Sequence, residues 1–185
     1  MTNDVSTGAR NQRLPRSARR ALLLEAALAA FAENGYHQAA MDDIADRAGV
    51  SKPVLYQHFP GKLELYLAVL DAECTVLESA VAAALRSTDD NKERVARTVQ
   101  AYFTYVGREG APFRLVFESD LADQPEVAAR LDKVTTTCAQ ALAEVIADDT
   151  DLGEPECLFL GMALSGMAQI AARYWLSSGR DIPES

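Results

Sequence analysis

The sequence predicts an all-α protein in which a small unit of three short helices precedes a larger set of longer ones. Three observations predict it. Apolar residues recur at helical spacing through most of the chain, Gly, Pro and Asp cluster between those tracts, and no alternating strand pattern or hairpin dipeptide appears. With 185 residues and 49% hydrophobic content, the chain can bury a core and is too apolar to stay unfolded.

Residues 1–15 are polar, contain Gly8 and Pro15, show no apolar period, and are expected to be a flexible basic arm. From Ser17 onward Leu24, Ala27, Leu28 and Phe31 fall at i, i+3, i+4 and i+7, the signature of one helix face. Asn34-Gly35 is expected to end that helix, because Gly enters the left-handed region at little cost. A short second helix over 41–48 turns Ile44, Ala45 and Ala48 inward and Asp42, Asp43 and Asp46 outward, where early carboxylates suit the macrodipole. Gly49-Val50-Ser51 breaks the pattern. Ser51 is expected to cap the third helix with its hydroxyl, for about 1 kcal/mol, and Pro53 fits that helix's first turn. Pro60-Gly61 stops it after Phe59. Longer helices are predicted over 62–87, 91–108, 125–148 and 155–178, with a shorter one over 112–119. The expected division is an arm (1–15), a three-helix unit (16–61) and a helical domain (62–185).

The charge is uneven. The net charge is -9, yet residues 1–65 carry 8 basic and 7 acidic side chains, net +1, while residues 66–185 carry 10 and 20, net -10. That asymmetry directs the N-terminal end toward a polyanion and the rest away from it. The N-terminus has no apolar leader, so a cytoplasmic protein is expected. The uncharged stretch 157–172 is shorter than a membrane span and holds Ser165 and Gln169; it reads as a buried helix with no membrane partner. Cys74, Cys138 and Cys157 are odd in number and widely spaced, so neither a disulfide framework nor a metal site is expected. No G-x-S-x-G, phosphate-cradling Gly loop or H-E-x-x-H is present, so neither catalysis nor a cofactor is expected.

A short helix, a Gly-containing turn and a second short helix form the helix-turn-helix plan, whose second helix enters the major groove of DNA. Ile44, Ala45, Val50, Leu55 and Phe59 make its inward set. Lys52, Pro53, Val54, Tyr56, Gln57 and His58 are left, beside Ser51, to face the groove or its walls. Gln57 can pair with an adenine edge, Val54 can touch a thymine methyl, and Lys52 can reach guanine or phosphate. Tyr56 and His58 suit phosphate oxygens, and Lys62 reinforces the anion site at the start of the next helix. Arg16, Arg19 and Arg20 are candidates for minor-groove or backbone contact.

Residues 31–67, FAENGYHQAAMDDIADRAGVSKPVLYQHFPGKLELYL, resemble the N-terminal domain of the TetR family of bacterial transcriptional regulators. The resemblance rests on the F-x-x-x-G-Y entry, D-I-A, A-G-V-S, L-Y-x-H-F and the following Lys at one continuous set of spacings. It implies a homodimer that binds a palindromic double-stranded DNA operator through helices 1 to 3. Its C-terminal domain would dimerise and hold a small-molecule effector, with operator release making the protein a repressor. Two departures stand out. Ala39 and Ala40 replace the usual Thr or Ser before the second helix, so that its cap and phosphate contact are expected to be weaker or supplied by another group. The chain also stops at Ser185, soon after Gly179, where members usually add a helix, so the dimer interface is expected to be incomplete or built differently. The alternative is a ligand-binding or interaction protein that has lost operator specificity.

Tyr102, Phe103, Tyr105, Phe113, Phe117 and Phe159 supply aromatics for an apolar cavity. Tyr102, Phe103, Phe113 and Phe117 are the ligand candidates, two of them flanking the short helix that the family places beside its pocket, and a small apolar or aromatic effector is expected. Glu118 and Arg108 read as surface charge. Gly161, Ala163, Ser165, Gly166, Ala168, Ala171 and Ala172 leave the last helix thin enough for close helix approach, inside one subunit or between two; the family resemblance implies a two-fold dimer contact.

Overall fold

A computed structural model describes residues 15–108 and 112–179. Among them are eight helices: α1 (Arg16–Gln38), α2 (Met41–Arg47), α3 (Lys52–His58), α4 (Lys62–Leu85), α5 (Asn91–Val106), α6 (Pro112–Phe117), α7 (Pro125–Asp149) and α8 (Glu154–Ser177). The expected arm lies outside the described residues except for Pro15.

Gly35 interrupts α1 at φ 69°, ψ 171°, a conformation essentially confined to Gly, and three further residues follow the kink. The α2–α3 turn shows why Gly49 is needed. The Val50 N–H donates to the Ala45 carbonyl and the Gly49 N–H to Asp46, with Gly49 at φ 65°, a Schellman closure that ends α2 and aims the chain into α3. Ser51 takes the capping position in extended conformation, but its hydroxyl makes no capping bond. Its carbonyl instead accepts the Val54 and Leu55 N–H groups at 2.9 and 3.2 Å, so the expected hydroxyl cap is corrected to a backbone one. Ala40 caps α2 with no side-chain bond, as its methyl dictates.

Leu23, Ala27, Ile44, Ala45, Leu55 and Leu65 are at most 1% exposed and lock α1, α2, α3 and the start of α4 into one core. Full burial of each Leu or Ile stabilises by about 1.5–3 kcal/mol. The buried stripe of α4 continues from Leu65 to Leu85, and α4 packs on α1, α5, α6 and α7.

The last helix departs from expectation. In α8 only Cys157, Gly161, Ala172 and Trp175 are buried, while Phe159, Ile170, Tyr174 and Met167 are 72, 68, 64 and 59% exposed. It is therefore not a buried helix within one chain, because α7 covers one stripe and its apolar residues extend all round. By length and composition it is also long and apolar enough to cross a membrane. Its small residues divide: Gly161 faces the Ala139 backbone of α7 inside the chain, whereas Gly166 meets nothing within 4 Å.

Candidate nucleic-acid interface and apolar cavity

The third helix presents its polar face outward. Ser51, Lys52, Pro53, Tyr56 and Gln57 are exposed and Val54 and His58 half-buried, while Leu55 and Phe59 pin the helix to the core. The pattern follows from the i, i+4 spacing of those two anchors. Arg16, Arg19 and Arg20, on the first turns of α1, lie near the C-terminal end of α3. Burial and these three guanidiniums together hold the His58 imidazole below its ordinary range, and the Arg20 guanidinium sits 5.3 Å from the Phe59 ring centre. The tertiary fold thus joins the N-terminal arginines and the recognition helix into one cationic margin suited to a phosphate backbone.

Two expected cations are not free. The Lys52 ammonium is held by Asp42 of α2, at 2.8 Å from one carboxylate oxygen and 2.9 Å from the other, which raises its pKa. Lys62 opens α4, but its Nζ donates to the His37 carbonyl at 3.0 Å and lies 4.7 Å from the Tyr36 ring centre. Lys52 must be drawn from Asp42 to reach a phosphate, whereas the Lys62 ammonium keeps N–H donors beyond the one given to His37. Sequence spacing alone assigned Asp42 to the helix dipole and did not find this competition. It also missed the fork between Arg47 and Glu33, at 2.8 and 2.6 Å, which fastens α2 to α1 and holds the Glu33 carboxyl below its usual range.

A cavity of about 580 Å³ opens between α5, α7, α8 and the end of α4, within the size range of small-molecule sites. Its walls are apolar, including Val81, Leu85, Leu142 and Val145, with Arg94, Asp149 and Thr150 at one end. Tyr102 and Phe103 line it as expected, but Phe113 and Phe117 do not. Phe113 is fully buried with its ring 5.0 Å from that of Phe117, because six-residue α6 spends its apolar face packing on α1, α4 and α5. Phe159 points outward instead. Arg108 is also corrected. It pairs at 2.8 Å with Glu73, whose burial raises the carboxyl pKa against the opposing pull of the guanidinium.

The head's geometry is that of a helix-turn-helix with an exposed recognition face, and relatives of known role agree. The HTH-type transcriptional activator FasR of Mycolicibacterium smegmatis is 46% identical over 173 residues, spanning 94% of this chain and 79% of FasR. RutR, an HTH-type transcriptional regulator of Escherichia coli, is 43% identical over 65 residues, 35% of this chain and 30% of RutR. This is a DNA-binding transcription regulator, and these relatives are regulators, not enzymes. Residues 23–69 match the family model of bacterial regulatory proteins, tetR family. Among solved structures, a TetR-like transcriptional regulator from Rhodococcus sp. RHA1 superposes with TM-score 0.74 at 25% identity, covering 93% of this chain and 90% of that one. The fatty acid degradation regulator FadR of Bacillus halodurans shares the fold at TM-score 0.73 and 18% identity, covering 89% and 90%. The chain belongs to the TetR family.

Proposed function

We propose that this regulator is a cytoplasmic homodimer that recognises a palindromic operator with the 16–61 unit, and that a small apolar or aromatic effector in the cavity of the 62–185 domain changes its affinity for DNA. The observation that carries the reading is the pairing of one exposed recognition helix per chain with one exposed apolar helix face per chain. A single three-residue to six-residue reading head is short for operator selection, and two-fold pairing doubles it. The α8 face of Phe159, Gly166, Ile170 and Tyr174 is apolar and largely exposed, with open space beside Gly166, which supports a two-fold contact in which one patch meets its own copy. Burying it against its own copy, rather than in lipid, accounts for its apolar composition in a protein that acts on DNA.

Gln57 and Val54 are the base readers in this proposal. Tyr56, His58, Lys62, Arg16, Arg19 and Arg20 hold phosphates, and Lys52 joins them once released from Asp42. The name of the 46% identical relative supports activation of transcription over the repression expected from the family resemblance. The sign is read by transcription in vitro from a promoter carrying the operator, with and without protein. For recognition, Gln57→Ala is expected to change the preferred sequence, whereas Tyr56→Phe and Lys62→Ala weaken all duplexes alike. A Gln57→Ala protein with unchanged affinity and preference would sink the base-reading assignment. Sedimentation of Ile170→Glu is expected to show a monomer; a dimer as tight as the parent would move the interface elsewhere.

A further inference from the structure

We propose that Asp120, seconded by Ser119, is a clasp that fixes the DNA-binding head on the C-terminal helices and thereby sets the half-site spacing the dimer accepts, an inference that rests on the dimeric reading above. The kink at Gly35 removes the Tyr36 N–H from the helical ladder, and the Asp120 Oδ2, 84 residues away on the segment between α6 and α7, accepts it at 3.1 Å. The positive φ is what requires Gly35, and a Cβ there would also meet that carboxylate, so a side chain at position 35 would have to push Asp120 off the Tyr36 N–H. A second tie lies alongside, with the Tyr66 hydroxyl of α4 2.7 Å from the Ser119 Oγ, which also accepts the Leu121 N–H at 3.1 Å.

The clasp reaches the DNA-facing side in few steps. Tyr36 packs edge-on against Tyr66 at 5.3 Å and lies under the Lys62 ammonium, which is itself bonded to the neighbouring His37 carbonyl. On its other side, α6 leads into the clasp and packs on α5, which supplies Tyr102 and Phe103 to the cavity. Asp120 is therefore a positioning residue. It lies on the segment after α6, away from the recognition helix, and with the α1–α4 core it helps hold the angle of the head and through it the separation of the two recognition helices.

The test uses the full-length protein and a duplex series in which two selected half-sites are held constant while the spacer changes by one base pair. The parent is expected to prefer one spacing. Asp120→Ala is expected to accept neighbouring spacers with the same half-site bases and to bind the original spacer more weakly by up to about fivefold, the limit set by one hydrogen bond. Asp120→Asn retains a carbonyl acceptor for the Tyr36 N–H and should keep the parental profile. Tyr66→Phe keeps the ring packing, removes only the second tie, and should relax spacing to a lesser degree; it carries the test if Asp120→Ala does not fold. Parental spacing and affinity in both Asp120→Ala and Tyr66→Phe would overturn the clasp, and so would an Asp120→Asn profile as relaxed as that of alanine. A parent with no spacing preference would overturn the dimeric reading itself.

Discussion

Gly161→Ala sets two effects of similar size against each other within one helix. Replacing an interior helical Gly by Ala is worth about 1 kcal/mol in backbone entropy. At this position, however, the new methyl would land on the Ala139 carbonyl, 3.1 Å from its carbon, and Ala139 is fully buried. The obstacle is backbone, which cannot rotate aside, so α7 and α8 must separate along their length. Overpacking costs about 1–3 kcal/mol, and with a rigid backbone carbonyl as the obstacle the upper half of that range applies, so steric cost wins. A net loss of up to about 2 kcal/mol corresponds to a melting temperature lower by a few degrees, at about 2–4 °C per kcal/mol for a chain of this size. Urea and thermal unfolding at several protein concentrations separate the loss within the chain from any effect on association. Gly166→Ala is the companion: its methyl meets nothing within 4 Å in the same chain, so only the propensity gain remains there and any loss is intersubunit. A Gly161→Ala protein as stable as the parent would refute the close α7–α8 crossing.

Ala40→Ser places a hydroxyl at the uncapped start of α2 and is expected to add about 1 kcal/mol of stability, read as a rise in melting temperature. Asp42→Asn removes the charge that holds Lys52; affinity for all duplexes should rise and the slope of log affinity against log salt should steepen by about 1. His58 is held neutral by burial and by Arg16, Arg19 and Arg20, and bound phosphate relieves that repulsion, so DNA binding takes up a proton. Operator affinity should therefore rise as pH falls from 7.5 toward 6, an increment absent in His58→Asn. In the DNA-free protein the sign reverses, because a base with a depressed folded pKa loses stability as pH falls through its unfolded value of about 6.5. Arg108→Ala leaves Glu73 buried without its partner and should cost about 1–2 kcal/mol, less than a fully buried pair because Arg108 is partly in water; Glu73→Gln in that background should recover part of the loss.

What was legible in the sequence was local. Gly35, Gly49 and Pro53 mark backbone requirements within a few residues, and the Leu55 and Phe59 pair fixes which face of α3 is free, so the helix-turn-helix could be placed to within a residue or two. What was not legible depends on side chains meeting across elements. Lys52 and Asp42 are ten residues apart and on different helices, Asp120 finds Tyr36 across 84, and neither pairing leaves a periodic trace. Phe113 and Phe117 have the composition of cavity walls and the position of core, a distinction only the packing of α6 decides. The uncharged stretch of α8 suggested a buried helix, yet how its stripe divides between α7 and the outside depends on the crossing at Gly161, which leaves most of its apolar side chains exposed.

The central claim, sequence-specific recognition of duplex DNA by a two-fold regulator, is tested most directly by selecting binding sites from random duplexes with the purified protein at two salt concentrations. The account predicts a palindromic site whose half-sites lie about one helical turn, roughly 34 Å, or a multiple of it apart, retained at the higher salt. Salt-sensitive binding with no preferred sequence, or no binding at all, would contradict it.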